Sequence, residues 1–218
     1  MNVSDSTFIG WTAIIGGVVG IISFVSLLLL FVVGEPFGTL NDILSIPIAF
    51  LLVPLVLALY RLNAAEQSAL STFALLSGLA GFFATAIGSG LLVLNRISFE
   101  QSLLPGIGGF GLIGVCLLFN SALGLSGRTF PRGVALMGLL IAITPTLALV
   151  AVLRANNVAT VLMNLGGQSA GAASVSPLVY GFVILGMLSY AALPVWFILI
   201  GRTFLSGRIP LAVAAAAV

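Results

Sequence analysis

Six long apolar runs alternate with short polar breaks along the chain, and they fall at about 8–33, 43–62, 70–94, 106–125, 134–153 and 177–200. Each reaches the roughly 20 residues an α-helix needs to cross a hydrocarbon layer about 30 Å thick. A backbone in lipid has to satisfy its own hydrogen bonds, so each run is expected to be a helix. The pattern predicts an all-α fold, a polytopic membrane helix bundle with six transmembrane helices in one domain over residues 1–218. No basic stretch precedes the first run and no small-x-small cleavage site follows it, so it is expected to stay as the first span.

Within the runs, small and polar residues keep a helical spacing. Gly16 and Gly20 form a small-xxx-small pair. The third run carries Ser77, Gly81, Thr85 and Ser89 in one row and Ala80, Ala84 and Gly88 in the next, which predicts a helix inside the bundle touched on two sides. Pro47 and Pro54 interrupt the second run, Thr144 and Pro145 sit in the fifth, and Asn120 is the most polar side chain inside any run. Among the breaks, 34–42 reads as a turn-rich connection with Glu35 and Asp42, and 95–105 as a loop with Arg96 and Glu100. The longest break, 155–176, is expected to hold a short interfacial helix around 158–165. Tyr60, Arg61 and Trp196 are expected at the membrane interface.

Composition removes the soluble alternatives: 61% of residues are hydrophobic, 6% are charged, and the mean hydropathy is +1.31. The net charge of +2 comes from arginines scattered singly beside the runs, which speaks for topology signals and against nucleic acid. With the N-terminus cytoplasmic, Arg61, Arg128, Arg132, Arg202 and Arg208 share its side, while Arg96 and Arg154 lie opposite. The positive-inside rule favours that arrangement, with both termini cytoplasmic in a bacterial plasma (inner) membrane. No carboxylate follows Glu100, so Arg128, Arg132, Arg202 and Arg208 form a cytoplasmic basic face suited to anionic headgroups or a soluble partner.

The chain has no histidine, and all seven of its cations are arginine. These absences exclude Schiff-base chemistry on lysine, imidazole ligands and histidine catalysts. Gly106 to Gly111 fits a G-x-G-x-x-G pattern, but no strand precedes it and no acid follows, so it reads as helix packing through Gly108, Gly111 and Gly114. Gly124-Leu125-Ser126-Gly127 resembles the nucleophile motif that rhomboid intramembrane proteases carry on the fourth of six helices. The histidine of that family is missing and Ser126 falls at a turn, so it reads as a turn residue. Glu35, Asp42 and Glu100 read as solvated loop charges, and Cys116 as a packing residue, which completes no metal set. No catalytic, cofactor-binding or metal residue is assigned and no cofactor is expected.

Gly127-Arg128-Thr129-Phe130-Pro131-Arg132-Gly133 follows the fourth run, and its first four residues recur at Gly201-Arg202-Thr203-Phe204. With Pro194-Val195-Trp196 closing the last run before Gly201-Arg202, the chain is similar to six-span bacterial membrane proteins grouped as a domain of unknown function. The likeness covers the second half, and the first half only through span count and Tyr60-Arg61. It implies no reaction and no site residues.

The functional expectation is a non-catalytic accessory or structural subunit that packs against membrane partners, a second copy of itself, or lipids. The alternative is a permease for an uncharged or amphipathic small molecule, with Pro47, Pro54, Asn120, Thr144 and Pro145 lining a cavity between proline-interrupted helices. An intramembrane enzyme is a third reading, hard to sustain without histidine or lysine.

Overall fold

The computed structural model describes residues 3–64, 67–154, 177–207 and 209, with side chains for 5–64, 67–150, 184–207 and 209. Arg208 and the 155–176 segment with its expected interfacial helix lie outside the described residues. Six helices follow one another: α1 (Val3–Val32), α2 (Phe37–Ala64), α3 (Ser68–Val93), α4 (Phe99–Ser126), α5 (Arg132–Arg154) and α6 (Pro177–Leu205). All six are long and apolar enough to cross a membrane. The fold is an all-α bundle of six membrane-spanning helices. The end where α1 begins is called the near end below, and the end where α1 finishes the far end.

Two segments expected as connections are helical. α2 starts at Phe37 because Glu35 accepts hydrogen bonds from the Thr39 backbone N (3.2 Å) and hydroxyl (3.1 Å), which satisfies a first-turn donor without a partner inside the helix. Asp42 is thereby lifted out of the loop and onto the second turn of a span. α4 starts at Phe99 through a capping box: Gln101 N donates to the Ser98 hydroxyl (3.3 Å), and Ser98 N donates to the Gln101 side chain (2.9 Å). Pro105 therefore lies inside α4 rather than in a loop, and Pro47 and Pro54 lie inside an unbroken α2.

The helices form a closed ring in chain order. Each packs on its neighbours in sequence, α6 returns to α1, and α2 also touches α4 across the middle. α3 is thus held by α2 and α4 on two sides, as its small-residue rows suggest. It is not enclosed, however, because Phe73, Leu76, Phe83 and Ile87 face outward.

Glycines set the spacing of the ring. A methyl group on Gly81 would lie 2.6 Å from the Gly109 carbonyl and 2.8 Å from the Ile113 nitrogen, so α3 and α4 meet backbone to backbone. On the other side of α4, Gly111 and Gly114 accept Leu149 and Pro145 of α5, whereas Gly108 meets nothing, which corrects one of the three packing positions expected from the glycine run. Gly16 faces Leu52 of α2, while Gly17 and Gly20 face Pro194 of α6, so the expected small-residue pair serves two neighbours rather than one. The core between these seams holds Leu52, Leu55, Ile200, Phe204 and Trp196. Trp196 is 1% exposed and donates from Nε1 to the Val134 carbonyl at 2.8 Å, which moves it from the expected interface to the α5–α6 contact. An indole in the core needs such a partner for its N–H.

Gly81→Ala is expected to destabilise the bundle by about 1–3 kcal/mol in detergent unfolding, the usual cost of overpacking. Gly106→Ala, whose added methyl meets nothing within 4 Å, is expected to cost nothing and to gain up to about 1 kcal/mol of helix propensity.

Candidate functional site

Buried polar side chains gather in two layers separated by an apolar middle. The near layer is a short relay of hydrogen bonds. The Thr129 hydroxyl donates to Asn63 Oδ1 (3.3 Å), Asn63 Nδ2 donates to Asn120 Oδ1 (3.0 Å), and Asn120 Nδ2 donates to the Cys116 carbonyl one turn back (2.9 Å). Asn63 and Asn120 are 2% and 1% exposed, so each needs the other to avoid the cost of an unpaired amide. Thr129 arrives because Gly127 caps α4 and Arg128 adopts a left-handed conformation (φ 54°), turning the chain so that Phe130 packs onto Gly124. Ser126 is exposed at this turn, and its hydroxyl donates to the Leu123 carbonyl. The Ser71 and Ser121 hydroxyls are fully buried with no hydrogen-bond partner, so the relay does not continue through them.

Beyond Asn120 toward the membrane centre is a cavity of about 20 Å³, lined by Leu55, Leu59, Phe82, Ile113, Leu193 and Phe197 among others. Its lining is apolar except for Asn120 and Cys116, whose polar atoms bond each other. It has room for about one water molecule.

The far layer joins four helices. Ser23 of α1 donates to Asn41 Oδ1 (2.8 Å), and so does the Tyr190 hydroxyl of α6 (3.4 Å). The Ser45 hydroxyl donates to the Asn41 carbonyl (3.0 Å), and Ser89 of α3 donates to Asp42 Oδ1 (3.0 Å). Phe110 of α4 meets the Tyr190 ring edge-on at 5.4 Å, and Phe24 of α1 lies against the same ring at 5.8 Å. Among the described residues, neither Asp42 Oδ2 nor Asn41 Nδ2 has a hydrogen-bond or ion-pair partner.

Of the residues expected to line a cavity, Asn120 alone borders the 20 Å³ space. Pro47 is exposed on the outer side of α2, Pro54 is half-buried, and Thr144 and Pro145 are buried on α5, with Pro145 seated on Gly114. α2 and α5 take opposite places in the ring. Arg128, Arg132 and Arg202 are all exposed at the near end, where Arg61 joins them. The sequence left Asn63 in a polar link and Asn41 and Asp42 in a turn. Asn41 and Ser45 are spaced one helical turn apart, a signal available only once α2 is known to start at Phe37.

No protein-family model matches the chain, and neither the curated proteins nor the solved structures contain a match.

Truncating Asn120 to Ala is expected to cost about 1–3 kcal/mol, the usual penalty for an orphaned buried amide. In a double-mutant cycle with Asn63→Ala, unfolding in mixed detergent should return a coupling of about 0.6–2 kcal/mol. Additive effects would show that the two amides do not depend on one another.

Proposed function

We propose that this chain is a non-catalytic accessory or structural subunit of a bacterial plasma membrane, with both termini cytoplasmic. It packs against membrane partners, a second copy of itself, or lipids. The observation that carries this reading is the closed middle of the ring. A permease needs a polar path, and the alternative reading placed it between the second and fifth spans. Instead the central space amounts to about 20 Å³ with apolar walls, Asn120 is spent on Asn63, and Pro145 is spent on α4. The polar layers lie toward opposite ends, and the aliphatic and aromatic side chains between them favour a bundle that stays shut.

The outer surface fits the same reading. Phe8, Trp11, Phe31, Phe50, Leu140 and Leu188 are among the large apolar residues facing out. Lipid tails or the helices of another membrane protein satisfy such a surface equally well, since both are apolar. Exposed Arg61, Arg128, Arg132 and Arg202 make the near end basic, in keeping with a cytoplasmic face that meets anionic headgroups. Membership of the six-span group of unknown function, suggested by the Gly127 to Gly133 turn and the closing Pro-Val-Trp, belongs to the same proposal.

Mild extraction from native membranes is expected to yield the chain with a second protein, a second copy, or firmly held lipid. A bare monomer free of lipid would overturn the reading. Arg128→Gln combined with Arg132→Gln should weaken binding of the purified protein to anionic vesicles by about 2 kcal/mol, near 1 kcal/mol per arginine. Unchanged binding would leave these residues as topology determinants alone.

A further inference from the structure

The far polar layer contains a carboxylate whose charge nothing in its surroundings answers. Asp42 sits on the second turn of α2, half-buried, with Oδ1 held by the Ser89 hydroxyl and Oδ2 without a partner among the described residues. No described arginine is paired with it. A carboxylate within a membrane span is expensive unless a cation or a set of donors meets it.

Its depth says where that cation comes from. α2 has 28 residues, about 42 Å of helix at about 1.5 Å each, against a hydrocarbon layer of about 30 Å. About 6 Å therefore projects at each end, and Asp42, five residues after Phe37, lies about 7.5 Å from the start of the helix. That is the boundary between hydrocarbon and headgroups. A charge at this level is within reach of the polar part of a lipid in the same leaflet.

The chemistry of the layer selects the kind of cation. A hard metal ion wants about six oxygens aimed at one point. Here Asn41 Oδ1 already accepts from Ser23 and Tyr190, and Ser45 and Ser89 are bonded to Asn41 and Asp42. Among the described residues no three carboxylate, cysteine or histidine side chains gather. A quaternary ammonium is best held by open aromatic faces. The Tyr190 ring is instead flanked by Phe24 and Phe110, which leaves no open cage. What the layer offers is one unpaired carboxylate oxygen, an acceptor, beside one unpaired amide donor, Asn41 Nδ2. A primary ammonium with a phosphate two carbons away matches that pair, N–H to Asp42 and phosphate oxygen to Asn41.

We propose that Asp42 and Asn41, braced by Ser23, Ser89 and Tyr190, form a site at the far end of the bundle for a primary ammonium group, supplied by an aminophospholipid headgroup of the adjacent leaflet. This rests on the reading of the protein as a binder of lipid or partner and names one ligand class for it. Asp42 supplies the charge, and the Ser23 and Tyr190 bonds to Asn41 Oδ1 hold its amide so that Nδ2 points away from them.

The test titrates purified protein in detergent with dioleoylphosphatidylethanolamine, its N-methyl and N,N-dimethyl derivatives, and dioleoylphosphatidylcholine, reading lipid binding by native mass spectrometry and thermal stabilisation. Affinity is expected to fall along that series as N–H groups are lost. Asp42→Asn, which keeps the size and the acceptor for Ser89, should weaken phosphatidylethanolamine by about tenfold or more, the loss of one charge-assisted hydrogen bond. Equal binding of all four lipids by the unaltered chain would overturn the proposal without recourse to any variant, as would an unchanged preference in a folded Asp42→Asn protein. Free ethanolamine and ethanolamine phosphate form a separate arm. If they stabilise the protein as well as the lipid does, the ammonium site stands and its lipid source falls. Protein that retains lipid on extraction but shows no headgroup preference would sink this inference and leave the accessory-subunit reading intact.

Discussion

The bundle depends on a constraint that lipid imposes. Inside a bilayer, apolar side chains gain nothing by leaving the tails for a neighbouring helix, so association rests on close packing and on hydrogen bonds that lipid cannot make. Gly81 against Gly109, Gly111 and Gly114 against α5, and Gly17 and Gly20 against Pro194 are the places where backbones come near enough for that packing to count. The two polar layers add the hydrogen bonds. With seam glycines turned inward, the outer surface is left to large side chains, and the small-residue rows seen in the sequence are largely consumed within the chain.

Span number and helical class were legible in the sequence because hydropathy alone decides what can enter a bilayer. Rotation about each helix axis was not, because runs this apolar have little contrast between their faces. Trp196 shows the difficulty. A tryptophan near the end of a span reads as an interfacial anchor, but α6 continues to Leu205 and turns the indole toward Val134. Asn120 was easier. A primary amide deep in a span demands a partner, although the identity of that partner, Asn63, depended on how α2 and α4 pack.

Asp42 was misplaced for a more local reason. Gly34, Pro36 and Gly38 suggest a turn running on to residue 42, whereas the Glu35 carboxylate reaches Thr39 and starts the helix early. One capping interaction thus changes a solvated loop acid into an acid at the headgroup level of a span. The Ser98–Gln101 box does the same for α4, drawing Glu100 into its first turn and Pro105 onto Gly88.

Because ring order follows chain order, nearly every seam joins segments that are synthesised one after the other. Each helical hairpin can settle onto its predecessor as it leaves the insertion machinery, with little rearrangement. The exception is the contact between α1 and α6, which unites the most distant helices and includes some of the tightest approaches, Gly10 to the Gly201 carbonyl and Gly17 to the Pro194 carbonyl. Until α6 arrives, the small-residue face of α1 stands open to lipid. The final step of assembly is thus a ring closure, and an unfinished chain presents the stickiest face of the molecule to whatever neighbours it in the membrane.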